Sequence, residues 1–473
     1  MAAPRLAPTL LSLMIVTACG GSPAPPTPET PGGGGGGDTI TGRERIGWSQ
    51  PAQDAAQLAS FDYAIYVDGV RSVLTGDACS GSAAPFDCAA PLPPLTPGAH
   101  SLELASFIIA DGTVVESERS AALRVTVAAS IPPADASEAE DASLTTPEGY
   151  TLTATVIARG LEDPTDVAIA PDGRAFVTER GGRVKIVAVD GMHTALDLGA
   201  GSSAGSAVRI TSLALHPAFE RTNLVYVAQA DEAGRMYLLR FRERGGVLAE
   251  GATVARERTA AEHAVIRFGP DGLLYAALGV GADPREAQRE ASPEGKILRF
   301  NEDGTIPRDN PRASPVWSSG HRDPRGLAWH PGTGRLWEGE RGGDAGDEIN
   351  SIVRGADYGW PVSRMDGSRG GSRAAALLMP AGTEVASVDF VPMGNASPLA
   401  GELLVASSGA EDVLRVKADG ERPGLVAGLL EGRYGRIAAV RAHADGTILL
   451  ATGNRETWGA GRDVLVRLVA AGR

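Results

Sequence analysis

Cysteine, methionine and histidine are scarce in this chain: three, seven and seven among 473 residues. Two of the cysteines, Cys79 and Cys88, have no histidine or third cysteine between them, so that segment lacks the ligands of a zinc site. Positive charge is also short. Lysine and arginine number 44 against 58 acidic residues, a net charge of −14 that repels nucleic acid phosphates and anionic lipid headgroups. Small neutral ligands remain as the natural partners, and nucleic acid is excluded. The apolar run from Leu10 to Val16 is too short to cross a bilayer as a permanent helix. What the chain does have is glycine, 61 residues, and proline, 32, beside an apolar fraction of 43%. That is enough apolar matter for true cores, divided by many turns into short elements, which is an all-β profile. The length exceeds one ordinary domain and predicts two or three segments.

The N-terminus reads as an address. Arg5 precedes the apolar run, and residues 1–19 have the form of a signal peptide. Val16-Thr17-Ala18-Cys19 resembles the bacterial lipobox, which makes Cys19 the lipidation site and the protein an exported lipoprotein whose membrane attachment is that lipid. The other reading is an ordinary secretory signal with an incidental cysteine. Gly20 after the cysteine points, by the same resemblance, to the outer membrane of a two-membrane bacterium. Outside the cytoplasm, Cys79 and Cys88 are expected to join in a disulfide.

Residues 20–41 are rich in Pro, Thr and Gly and read as a flexible tether. Residues 42–128 alternate polar and apolar in short runs such as Tyr63-Ala64-Ile65-Tyr66-Val67, which predicts a small β-sandwich. This segment looks like a fibronectin type III or related immunoglobulin-like module. Residues 129–150, with Pro132-Pro133 and an acidic run, read as a solvated linker. From residue 151 to 473 six related turns punctuate the chain: Pro171-Asp172-Gly173, His216-Pro217, Pro270-Asp271-Gly272, His330-Pro331-Gly332, Pro398-Leu399-Ala400-Gly401 and His443-Ala444-Asp445-Gly446. Their spacing of about 45 to 68 residues is that of four-stranded blades, so a six-bladed β-propeller is expected. Pairing of the C-terminal run Asp463–Val469 with Leu152–Val156 would close the ring.

Specific motifs then carry a resemblance over nearly all of 151–473. They include Phe176-Val177-Thr178-Glu179-Arg180-Gly181-Gly182, Gly269-Pro270-Asp271-Gly272, Gly295-Lys296-Ile297-Leu298-Arg299, Gly320-His321-Arg322-Asp323-Pro324, Asp347-Glu348-Ile349-Asn350 and Tyr358-Gly359-Trp360-Pro361. In order and spacing the set resembles the PQQ-dependent glucose/sorbosone (soluble aldose sugar) dehydrogenases. That resemblance implies an oxidoreductase in which PQQ lies at the propeller mouth, a histidine takes the proton of a sugar hydroxyl and calcium polarises the cofactor. It places Arg322 at the quinone carbonyls and Arg436 at the cofactor carboxylates. Gly342, and Gly343 where the family has proline, supply carbonyls to calcium. Glu348 and the carbonyl of Tyr358 match a second, structural calcium site.

Several positions depart from the family pattern. Counted back from Gly269, the catalytic histidine position holds Ala261, while His263, the candidate base, stands two residues on, a displacement of about 6–7 Å along a strand. The asparagine after the arginine is Asp323, the family lysine falls at Gly409, and the second arginine falls at Ala438. Two lost cations and one added anion around a tricarboxylate predict weakened cofactor binding, at about 1.5–3 kcal/mol per charge-assisted bond. Trp317, Trp329, Trp337 and Trp360 are read as core at blade turns. Two functions follow: a PQQ- and calcium-dependent oxidation of an aldose C1 hydroxyl with transfer to a quinone-type acceptor, or a catalytically degenerate propeller that binds glycans or proteins.

Overall fold

The structure is a computed structural model of the full chain. It describes residues 13–16, 38–40, 45–74, 78–81, 84–93, 95, 98–110, 113–127, 141–199, 208–231, 235–259, 261–343, 346–362, 371–418 and 423–470. Cys19 and most of the segments read as tether and linker lie outside these residues. The chain forms two compact units, one built mainly from Met1–Ser130 and the other from most of the remainder.

The first unit is a two-layer β-structure. One sheet runs in the order Leu13–Val16, Arg45–Gln50, Phe86–Pro91, Ala78–Ser80; the other runs Asp38–Ile40, Leu123–Val127, Gly98–Ala110, Asp62–Val67, Val70–Leu74. Period-2 alternation sends Ile46, Trp48 and Phe86 from the first sheet and Tyr63, Ile65, Leu102 and Leu104 from the second into one shared core. The Trp48 ring meets Tyr63 edge-on at 4.6 Å. Cys79 and Cys88 are directly opposed across their two strands and form a disulfide. Leu13–Val16, inside the apolar run of the N-terminus, pairs antiparallel with Arg45–Trp48. A chain processed at Cys19 would lack this edge strand.

From Ala142 onward the described residues form six antiparallel sheets. The innermost strands, in blade order, are Pro164–Ile169, Arg209–Leu215, Ala264–Phe268, Pro324–Trp329, Val385–Phe390 and Ile437–Ala442. Each packs against the next, and the sixth packs against the first, so the ring is closed. Closure is covalently economical: Asp463–Ala470 in blade 6 pairs antiparallel with Thr151–Leu161, from Leu152 opposite Ala470 to Leu161 opposite Asp463. Ala142–Thr145 adds a fifth strand to that sheet, upstream of the boundary read at residue 151. The recurring turns have a common chemistry. In blades 1, 3 and 6 the side chains of Asp172, Asp271 and Asp445 accept hydrogen bonds from the N–H groups of Arg174, Leu273 and Thr447, and the glycine between takes a positive φ of 87°, 76° and 91°.

One polar network crosses the inner strands. Asp166 in blade 1 is buried at 3% exposure. Its carboxylate accepts from Ser212 Oγ at 2.6 Å and Leu213 N at 3.1 Å in blade 2, from both terminal nitrogens of Arg267 in blade 3, and from Arg441 Nη2 in blade 6. Arg441 in turn donates to Ser387 Oγ and the Val388 carbonyl in blade 5. Removing one member of such a cluster leaves the others charged and desolvated. Asp166→Ala is therefore expected to cost about 3–5 kcal/mol, read as a lower midpoint of urea unfolding, whereas a substitution at exposed Asp190 should leave the midpoint nearly unchanged.

Candidate active site

The mouth of the propeller is assembled by position within the blade. The residue that follows the second strand of a blade repeatedly lines it: Arg180, Gly279, Arg341, Ser408 and Gly453 all do so, in blades 1, 3, 4, 5 and 6. The starts of the inner strands add Arg325 and Ala438, and His263 stands directly before the third of them. Two cavities of about 530 and 610 Å³ result, and His263 and Arg325 line both.

His263 is the histidine of the mouth. Ala261, where the gap-free count placed the family base, is buried and absent from both cavity walls. The two-residue offset therefore does not remove an imidazole from the mouth: His263, directly before the strand Ala264–Phe268, lines both cavities where Ala261 does not. His263 is 9% exposed, and its Nδ1 has no hydrogen-bond partner. Burial first, and then the charges of Arg325, Arg180 and Arg341, hold its pKa well below the usual imidazole value. It is a neutral ring with a free nitrogen, the form a general base requires.

The charge reading needs correction. Gly409 and Ala438 do lack cationic side chains, but the fold brings in Arg180, Arg325, Arg341 and Arg455 beside Arg436, so five guanidinium groups face the first cavity against the carboxylates of Asp163 and Glu456. Several are paired: Arg180 with Asp163 at 2.8 Å, Arg436 with Glu384 at 3.1 Å, and Arg325 with Asp323 at 2.6 Å. The last pair neutralises the carboxylate of Asp323. Arg341 differs. It donates to the carbonyls of Val385 and Glu384 and to Ser408 Oγ, and among the described residues no carboxylate lies within ion-pair distance of it. Burial, then the charge of Arg325, lowers its pKa, against the opposing charges of Glu384, Asp323 and Asp347.

Arg322 lines the second cavity and lies over the Trp360 ring at 5.2 Å, so Trp360 belongs to the mouth wall rather than to the core. Trp337 is buried in blade 4, while Tyr275 meets Trp317 and Trp329 edge-on. Gly343 backs onto Arg322: a Cβ there would sit 2.3 Å from Nη1, and its φ of 59° excludes the family proline. A Cβ on Gly342 would fall 1.6 Å from the Gly346 carbonyl. Neither glycine is among the cavity-lining residues. Asp347 caps backbone, accepting from the N–H groups of Gly342 and Val385. Glu348 accepts from Asn350 Nδ2, and burial raises its pKa to about 8. The Tyr358 ring stacks on His321 at 4.8 Å.

A planar anion with several carboxylates suits this donor set of arginines around a neutral imidazole. The family model described as Glucose / Sorbosone dehydrogenase matches residues 161–459. A Synechocystis protein is 34% identical over 248 residues, 45% of this chain and 59% of its own length. The aldose sugar dehydrogenase of Escherichia coli K12 is 29% identical over 204 residues, 39% of this chain and 55% of its own. The chain thus spans little more than half the length of these curated relatives. The PQQ-bound aldose sugar dehydrogenase of Streptomyces coelicolor is 28% identical, with a TM-score of 0.59 over 68% of this chain and 98% of that one.

Among the mouth arginines, Arg341 has the most to offer an incoming carboxylate. Arg341→Met is expected to weaken binding of a planar tricarboxylate by roughly ten- to a hundredfold, one charge-assisted bond, measured by calorimetric titration of PQQ. An unchanged affinity would remove Arg341 from the anion site.

Proposed function

This chain belongs to the Glucose / Sorbosone dehydrogenase family, and on that premise we propose that its propeller mouth oxidises an aldose at the C1 hydroxyl with PQQ as cofactor and passes the electrons to a quinone-type acceptor. The observation that carries the reading is His263: a buried, neutral imidazole with an unpartnered Nδ1 where the two cavities meet. PQQ, when bound, supplies the two-electron acceptor. Arg341 and Arg436 would hold its carboxylates, with Arg180 and Arg455 extending the positive wall. Arg322, on the far side of His263, would address the quinone oxygens. His263 would take the hydroxyl proton of the sugar, and the sugar would lie against Trp360 and the glycines of 279–281.

Calcium would draw structurally on Glu348 and the Tyr358 carbonyl; at the mouth, Gly342 and Gly343 line neither cavity, and their carbonyls would reach a calcium only beside the Arg322 guanidinium that abuts Gly343. The reading extends to location: export to the cell envelope, with Cys19 as lipid anchor and the N-terminal sandwich, of fibronectin type III or immunoglobulin-like kind, as a spacer.

Calorimetric titration of PQQ into the full chain with calcium present, followed by a sugar panel with an artificial acceptor, tests the proposal. Micromolar or tighter binding and turnover are expected. His263→Asn should keep PQQ affinity and lose about 10²–10⁴ in kcat. Because the His263 pKa is depressed, the base stays neutral as pH falls through the ordinary imidazole range, and kcat/KM should not fall there. A folded protein that binds no PQQ would instead support a glycan- or protein-binding propeller.

A further inference from the structure

Blade 4 carries a group of buried acids that the mouth does not use. Glu338 and Glu340 alternate onto one face of Leu336–Glu340; directly opposite them in the next strand are Asn350 and Glu348. Like charges directly opposed across a sheet repel, and buried ones do so without solvent screening. Glu338 and Asn350 are 0% exposed and Glu340 is 5% exposed. Facing them is His321, also 0% exposed.

Among the described residues neither Glu338 nor Glu340 pairs with a lysine or arginine side chain. The cations whose charges act on this group are committed elsewhere. Lys296 Nζ is bonded to the carbonyls of Glu286, Ala287 and Glu294, and Arg322 offers Glu340 only its backbone N–H, its guanidinium bonding to the Arg341 carbonyl. The cluster is also short of hydrogen bonds. His321 Nε2 is held by Ser318 Oγ at 2.9 Å, which leaves Nδ1 pointing at the acids with no hydrogen-bond partner; Glu338 Oε1 and Asn350 Oδ1 likewise have none. Asn350 Nδ2 donates to Glu338 Oε2 at 3.1 Å and to Glu348 Oε2 at 3.2 Å, but the buried, unpartnered His321 Nδ1 aimed at the acids is a cost unless something accepts its lone pair.

We propose that His321, Glu338 and Glu340 bind one first-row divalent cation of the manganese or zinc class, with Glu348 and Asn350 adjoining. The donor atoms of the three residues lie within 4.8 Å of one another, and His321 Nδ1 is 3.5 Å from Glu340 and 4.0 Å from Glu338. Ligands bonded tetrahedrally at about 2.0–2.2 Å stand about 3.4 Å apart, so a small inward adjustment closes the site. An imidazole nitrogen among carboxylates selects a first-row metal over calcium, which prefers six to eight oxygens. The Ser318 contact to Nε2 fixes which ring nitrogen faces the metal, as the outer partners of metal-bound histidines do. This donor set differs from the pairing of Glu348 with the Tyr358 carbonyl, and it does not depend on PQQ or on any sugar.

The test uses the full chain purified without chelator. Elemental analysis is expected to find manganese or zinc at about one equivalent per chain, lost in Glu338→Gln. Wild type stripped with chelator and then returned to saturating CaCl2, which refills any calcium site, should keep a Tm several degrees low until MnCl2 or ZnCl2 is added. A folded wild type that holds neither metal and gains nothing from either, or that responds to calcium alone, overturns the proposal. If Glu338→Gln does not fold, the strip-and-restore measurement on the wild type decides. A metal-free wild type beside a fully stable Glu338→Gln would mean that Glu338 and Glu340 share a proton instead.

Discussion

A single buried carboxylate, Asp166, ties the inner strand of blade 1 to those of blades 2, 3 and 6. A propeller blade is internally hydrogen-bonded, yet nothing in its own ladder joins it to the next blade, and apolar packing alone does not set the level of one inner strand against its neighbour. Asp166 does so by reaching Ser212 in blade 2, Arg267 in blade 3 and Arg441 in blade 6, with Arg441 carrying the network on to blade 5. Buried ions of this kind tolerate little displacement, because each depends on full satisfaction by the others. Fixing the inner strands also fixes where they begin, and those starts form the mouth.

The mouth shows how a charge distribution can survive the loss of particular residues. The family lysine and second arginine are replaced by Gly409 and Ala438, and a reading by homologous position finds a depleted anion site. In space, arginines that follow the second strands of blades 1 and 4 and flank blade 6 converge on the same cavity. Electrostatic attraction to a ligand depends on where charges lie, not on which strand carries them. Burial first, and then the charges of Arg325, Arg180 and Arg341, depress the His263 pKa, so three of the arginines that line the cavity also favour the neutral ring.

Blade 4 concentrates buried ionisable groups. Glu338, Glu340 and Glu348 all have pKa values raised by burial, with Glu340 and Glu348 held near 8. Burial of this order opposes folding unless a proton or a cation occupies the cluster. Its nearness to Arg322, through the backbone N–H that Glu340 accepts, links whatever neutralises those acids to the placement of a mouth residue.

The architecture was written in local signals. Repeated Asp-Gly turns, strand-length runs of Val, Leu, Ala and Phe, and the complementary first and last strands specify six blades and their closure, because turn chemistry and period-2 patterning act over a few residues. His263 and Arg322 could be found from motifs. Arg325, directly after the Gly320–Pro324 motif, and Arg341 are plain in the sequence as residues, but nothing in one dimension aims them at a common space. Likewise the alternation of Glu338 and Glu340 reads as an ordinary solvated strand face until its burial is known. Sequence alone determined the fold class, the blade count, the ring closure and the family. Tertiary structure decided which imidazole enters the mouth, which arginines replace the missing cations and which acids are forced together without water, since convergence and desolvation are properties of the closed ring.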